Sequence, residues 1–491
     1  MEPLLLFVIA FGVIVLLLGS VITTVMIARD MSMGTDGSAI LPMLGAAALS
    51  VVVVATVLFA SKTYPSPLVP IVFAAAPTLV LIAFVRPILV CLLFVVFTYF
   101  RVHEVFPILF ELNIPQFLAA LSLLTLAWNL ALPRSLTPYL TFELKLFLVF
   151  FAIVTIGVFF ANDPQVAWNA WSDSYWKIGI MTLAIAWLAR TPEDFTLAGR
   201  VWMLGGLLVA VVAILNKVAG IDLVEGSRVT IGRGNLGDPN DLALVLLFPL
   251  GFSTAALLYR EKAFDTFLAL LTTSAVIGAI IATQSRGGLL GLLAVLSVVG
   301  LHWTKSKTRL LILMLPVTIG LFFAADIGAR FSGGSQEVPT VGLDESASGR
   351  LDVWGSAINT ALARPLRGIG LTNFTTPSGL GAHSTWFQVL SETGFPGLVV
   401  FVALIIICWR RISSSVRTLN DLGAVTSLRV MALGLQAGLI GFCVSGSFLS
   451  QAFTWPLYIY VALISAVSHY TTLLSHARES EERTLHPVVA S

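Results

Sequence analysis

Charge is scarce in this chain. Only 11% of its 491 residues are Asp, Glu, Lys or Arg, against 57% hydrophobic, too little polar surface to cover a water-soluble body of that size. That excludes a soluble enzyme. The net charge of +2 offers no general attraction to nucleic acid, so an anion site has to come from local clustering of arginines. Cysteine is scarcer still. Cys91, Cys408 and Cys443 lie inside apolar runs without metal-ligand spacing, so neither disulfide nor metal is expected. No DxD, paired-histidine or phosphate-loop motif occurs, which leaves divalent-metal and nucleotide chemistry without support, and no cofactor is expected. The run from Leu4 to about Ile27 has no basic leader and exceeds a signal-peptide core, so it reads as a retained span. Internal repeats are absent as well.

What the chain does have is apolar runs close to bilayer length. They fall near 4–27, 40–60, 68–85, 87–100, 116–132, 143–161, 175–189, 199–219, 241–259, 264–283, 287–303, 309–327, 394–409, 428–449 and 452–474. This predicts an all-α, polytopic membrane bundle of roughly thirteen to fifteen helices. The expected division is N-terminal spans 1–198, a membrane domain 199–475 with a large loop 328–393, and a tail 476–491. Basic residues recur at every second junction: Arg260 and Lys262, then Lys305, Lys307 and Arg309, then Arg410, Arg411, Arg417 and Arg429. Short basic connections mark the cytoplasmic side. Alternation then gathers 220–240, Arg286 and 328–393 on the outer face and puts the tail inside.

On that face the candidates are Arg228 and Arg233 in a Gly-rich loop, Arg286 in Ser285-Arg286-Gly287-Gly288, and His383 in Gly381-Ala382-His383-Ser384. Arginines at non-cytoplasmic helix ends run against the usual bias, and an anionic partner such as phosphate would hold them there. The bland alternative is snorkelling, or pairing with Glu225, Asp238 or Asp241. Gly287-Gly288 opens a helix with little bulk beside the Arg286 guanidinium, so backbone N–H groups could add to its donors. Asp238-Pro239-Asn240-Asp241 reads as an N-cap with proline at the first helical position. Leu351, Trp354, Ile358 and Ala361 or Leu362 recur at helical spacing, as in an amphipathic helix on the membrane surface. Arg350, Trp354 and Trp386 are candidate sugar or acceptor contacts, though packing alone accounts for interfacial tryptophans. A histidine at a loop end is commonly structural. An imidazole at the bilayer edge beside a candidate phosphate site, as at His383, also suits a proton acceptor for a hydroxyl.

His383-Ser384 followed by Gly394-x-x-Gly397, Arg286 with Leu290, the Arg228/Arg233 loop before Pro239, and Arg364-Pro365-x-x-Gly368-x-Gly370 together resemble the O-antigen ligase and O-antigen polymerase superfamily of bacterial membrane glycosyltransferases. The resemblance covers roughly 200–450, with Ser384 where many members have asparagine. It implies a GT-C-like bundle in the bacterial inner membrane with its active site facing the periplasm or exterior. It also implies metal-independent transfer of an undecaprenyl-diphosphate-linked glycan to an acceptor glycan, lipid or protein. Arg286 with Arg228 or Arg233 would hold the diphosphate, and His383 would activate the acceptor. The competing reading is a lipid-linked glycan flippase or other transporter, for which repeats and mid-membrane charges would be expected. Lys145, Lys177, Arg200 and Lys217 instead sit near run ends.

Overall fold

A computed structural model describes residues 86–102, 114–131, 136–232, 234–260, 262–304, 306–324, 347–376, 379 and 381–485. The runs expected at 4–27, 40–60 and 68–85, and Arg233, lie outside the described residues. The chain divides into two compact units, Met1–Val90 with Ala120–Trp128, and Cys91–Ala119 with Asn129–Ser491. Of the first, residues 86–90 and 120–128 are described, and they are helical from Pro87 onward. Every described site residue belongs to the second.

The helices in chain order are α1 (Pro87–Tyr99), α2 (Ile114–Ala131), α3 (Phe142–Phe159), α4 (Pro164–Ala170), α5 (Trp176–Leu188) and α6 (Pro192–Ala219). A two-stranded hairpin, β1 (Leu223–Val224) with β2 (Arg228–Val229), leads to α7 (Pro239–Tyr259), α8 (Ala263–Thr283), α9 (Arg286–Thr304) and α10 (Lys307–Ala324). Then come α11 (Ala347–Ala363), α12 (Thr385–Asp421), α13 (Thr426–Gly446) and α14 (Trp455–Leu485). Among the described residues, nine helices are long and apolar enough to cross a membrane. The protein is a polytopic helical membrane protein.

Local chemistry sets several boundaries. Asp238 caps α7, its side chain accepting from Asn240 N–H and Asp241 N–H, with Pro239 at the first position as the sequence predicts. Helix α6 begins at Pro192, ahead of its apolar run, because Thr191 and Asp194 form a reciprocal capping box. The run read as 394–409 proves to be the middle of a 37-residue helix, α12, interrupted at Gly394 (φ 71°, ψ −173°). Hydropathy missed its first turns because they carry Gln388, Ser391 and Glu392. Helix α11 forms as expected, but Leu351, Ile358 and Leu362 face outward, while Val353, Ala357 and Ala361 pack inward.

Helix α7 is the hub, packed against α6, α8, α9 and α13. A bilayer gives apolar helices no hydrophobic drive to associate, so small residues and close packing hold them together. A Cβ on Gly206 would lie 2.3 Å from Pro249 Cβ, and one on Gly251 2.6 Å from Gly434 O. Aromatic edges fill the remainder, with Trp202 and Tyr460 meeting Phe248 at 4.0 and 4.2 Å between ring centroids.

Contacts between helix ends sort the loops into two groups. At one end Tyr259 Oη donates to Asn420 Oδ1 at 3.0 Å, Arg429 sits 4.9 Å over the Tyr259 ring, and Arg200 meets Asp265. At the other, Arg228 bonds Thr283 O, Gln451 bonds Asp241, and Thr385 bonds Leu449 O. The 220–240 loop, the start of α9 and the start of α12 therefore share the end opposite the basic junctions.

Candidate functional site

The α8–α9 corner is built around Asn240. Arg228, 11% exposed at its side chain, donates from Nη2 to Asn240 Oδ1 at 2.8 Å, from Nε to Thr283 O at 3.2 Å and from Nη1 to Glu225 Oε1 at 3.3 Å. Ser285 Oγ also donates to Asn240 Oδ1, at 2.8 Å, and accepts from Gly288 N–H at 3.1 Å, which caps α9. Lys217 Nζ reaches Ser227 O, and Asn216 Nδ2 bonds Asp222 Oδ2 and Thr230 O, both at 3.1 Å. Arg228 is thus a strut joining hairpin, α7 and α8, as the Glu225-pairing alternative foresaw.

Arg286 stands differently. It is exposed at the first position of α9. The two glycines after it are occupied from outside: a Cβ on Gly287 would lie 3.2 Å from Phe448 Cδ2, and one on Gly288 2.4 Å from Ala243 Cβ. They serve close packing rather than open space for a ligand. Because Ser285 takes the Gly288 N–H, the terminus also offers fewer donors than the sequence suggested.

His383 stands just ahead of α12, at the same end of the bundle. Its backbone is left-handed (φ 42°), uncommon outside glycine, and it leads through Ser384 into α12. Thr385 Oγ1 donates to Leu449 O at 2.8 Å and accepts from Gln451 N–H at 3.2 Å. Gln388 Oε1 accepts from Ala452 N–H at 3.2 Å, and Trp386 Nε1 donates to Ser447 Oγ at 2.9 Å. The segment Ser447–Thr454 therefore acts as a strap. It presses Phe448 against Gly287, beside Arg286, and ties down the turn that follows His383.

Helix α11 supports the histidine from another direction. Val353, Ala357, Ile369, Phe374 and Ala382 form one buried cluster with Phe387 against it, and Trp354 stacks on Phe387 at 5.1 Å. Trp354 and Trp386 are thus engaged in packing, while Arg350 sits half-buried in the first turn of α11. The Arg364-Pro365-x-x-Gly368-x-Gly370 spacing also finds its reason. Phe395 N–H donates to Pro365 O at 2.8 Å, Ile369 N–H to Ser391 O and Gly370 N–H to Glu392 O, both at 3.0 Å. A Cβ on Gly368 would lie 2.4 Å from Glu392 C, and one on Gly394 2.6 Å from Pro365 O. Only glycine fits both, at φ 64° and 71°.

Sequence reasoning overlooked Glu392 and the strap. The Glu392 carboxylate, 2% exposed, accepts from Thr372 N–H at 2.6 Å and fastens the 364–374 loop to α12. A lone acid inside a membrane helix was the available signal. Gln451 gave none.

Residues 268–402 match the family model described as O-antigen ligase. Over this stretch the chain is similar to the O-antigen ligase family. The matched stretch contains Arg286, Arg350, Trp354, His383 and Trp386, and leaves Arg228 and Arg233 outside. No curated protein matches the chain. Among solved structures, one chain from "Structural coordination of polymerization and crosslinking by a peptidoglycan synthase complex" is similar at 17% identity and a TM-score of 0.39, covering 68% of this chain and 99% of that one.

Proposed function

We propose that this protein transfers a glycan from undecaprenyl diphosphate to an acceptor hydroxyl, without a metal ion, at the outer face of the bacterial inner membrane. In this reading it is a ligase or polymerase of surface polysaccharide. The observation that carries the reading is the Ser447–Thr454 strap, which braces the helix start bearing Arg286 and the turn after His383 at one end of the bundle. Glycosyl transfer from a diphosphate requires an anion-holding group and a proton acceptor within reach of one substrate, and this segment braces the elements that carry both candidates.

The chemistry balances without a cofactor. The acceptor oxygen attacks the anomeric carbon, its proton passes to a His383 ring nitrogen, and the carbon–oxygen bond to the diphosphate breaks. Negative charge grows on the departing diphosphate, so guanidinium groups already in place stabilise the transition state more than the ground state. Arg286 and Arg233 take that role here. Arg228 is assigned to holding the corner, since its three guanidinium nitrogens already donate within the protein. Arg350 is the remaining acceptor-side candidate.

The test uses purified protein, with accumulated donor and unmodified acceptor from membranes of a deletion strain, in excess EDTA. Wild-type protein should transfer. Arg286→Lys keeps the charge but loses the planar fork, and should lower turnover about tenfold to a hundredfold, about 1.4–2.8 kcal/mol. Wild-type turnover by the lysine variant would defeat the diphosphate clamp. Activity abolished by EDTA and restored by magnesium would overturn metal independence.

A further inference from the structure

A cavity of about 300 Å³ adjoins the strap, and Tyr99, Arg101, Asp241, Gln451, Thr454 and Trp455 are among its lining residues. We infer that it is a subsite for one sugar ring of the substrate glycan, an inference that rests on the transfer reaction proposed above. Its volume is at the low end for a ligand site, of a size for a monosaccharide rather than an extended chain.

The wall is hydrogen-bonded into the candidate active site. Gln451 donates its backbone N–H to Thr385 Oγ1, two residues past His383, and its Nε2 to Asp241 Oδ1 at 2.7 Å. Thr454 Oγ1 donates to Gln451 Oε1 at 2.6 Å. Carboxylate, carboxamide and hydroxyl are thereby fixed in one chain. Among the described residues nothing donates to Asp241 Oδ2, and Arg101, held at φ 49°, lines the same cavity. Trp455, oriented by an edge contact with Phe94 at 5.2 Å, adds an aromatic surface.

This lining discriminates among the parts of a lipid-linked glycan. An isoprenoid tail would bury Arg101, Asp241 and Gln451 against hydrocarbon and satisfy none of them. A diphosphate would meet the Asp241 carboxyl group, which repels it as a carboxylate and offers it a single hydrogen bond as an acid. A pyranose fits, because adjacent hydroxyls can donate to a carboxylate and accept from a guanidinium while the C–H face lies on an indole. The ring belongs either to the donor, next to its diphosphate, or to the end of the acceptor. Both present the same chemistry.

Asp241→Asn keeps an oxygen for Gln451 Nε2 while removing the charge, and Trp455→Leu removes the aromatic surface. Each would be checked for an unchanged melting temperature, with Trp455→Phe in reserve. The kinetic readout is KM for donor and for acceptor. We expect KM for one substrate to rise about tenfold in both variants, the scale of one charge-assisted hydrogen bond, with kcat within about twofold. A rise for donor alone places the ring on the donor, and a rise for acceptor alone places it on the acceptor. The second readout is calorimetric binding of the oligosaccharide released by mild acid from the lipid-linked pool and of the delipidated acceptor glycan. Wild type should bind one of them, and Asp241→Asn should weaken it about tenfold. Unchanged KM for both substrates in active variants would overturn the subsite. If wild-type protein transfers nothing, the proposed function fails instead, and calorimetry decides the cavity alone: binding weakened by Asp241→Asn sustains it, and binding that is absent or unaffected overturns it.

Discussion

At the end of the bundle that holds the basic junctions, arginines are matched inside the fold. Arg200 lies on Asp265 through two bonds of 2.7 and 2.9 Å, Arg411 stands 3.7 Å from the buried Glu143, and Arg429 covers the Tyr259 ring. At the opposite end the pattern splits within one corner. Arg228 is enclosed, whereas Arg286, at the first position of α9, is exposed. His383 keeps a left-handed backbone beside a turn tied down by three side chains. The difference teaches that scaffold and chemistry are divided among residues of one type. Backbone strain persists where neighbouring bonds over-determine it.

The comparison is sharpened first at His383. His383→Ala should cut transfer by about 10²–10⁴-fold, the usual share of a general base, with unchanged melting temperature and donor binding. A loss below tenfold in single-turnover measurements would return His383 to a structural role.

Next in size is the interlock behind it. Gly394→Ala puts a Cβ 2.6 Å from Pro365 O at a positive φ, and should cost about 2–4 kcal/mol of stability. Thermal unfolding in detergent, read beside protein yield, measures this, and wild-type stability would show that the 364–370 loop is free to move off α12.

The strut comes third. Arg228→Ala removes the bonds to Thr283 O, Asn240 and Glu225, and should cost about 1–3 kcal/mol, whereas Arg286→Ala, at an exposed position, should change melting less and reduce turnover. The two variants side by side test the division within the corner. Equal melting losses in both would erase it.

Much of this plan was legible in the sequence, for physical reasons that differ by element. Asp238-Pro239 announces the start of α7 because caps are local chemistry, and the alternation of basic junctions predicted which loops share an end. The family resemblance brought forward Arg286 and His383. The boundary of α12 was misread because Glu392 and Gln388 lower the hydropathy of turns that are helical yet polar, satisfied by partners distant in the chain. Arg228 and Arg286 cannot be told apart by type or flanking residues. Only burial separates them, and that depends on Asn240 and Thr283 arriving from two other helices.

The smallest effect is expected at the opposite end, where the comparison is easiest to break. Arg200 and Asp265 form a bidentate pair with side chains 35% and 19% exposed. Solvent and headgroups screen such a pair, so even good geometry is worth only about 0.2–1 kcal/mol. Arg200→Ala, Asp265→Ala and the double variant should give a coupling energy within that range by a double-mutant cycle on thermal unfolding. Turnover per folded molecule should stay within about twofold of wild type in all three, because the pair lies at the end of the bundle opposite the strap, Arg286 and His383. A tenfold loss of turnover at unchanged stability would mean that the pair controls events at the far end of α6 and α8, where Asn216 and Thr283 meet the hairpin and Arg228. The division of labour between the two ends would then give way to a coupling that runs the length of the bundle.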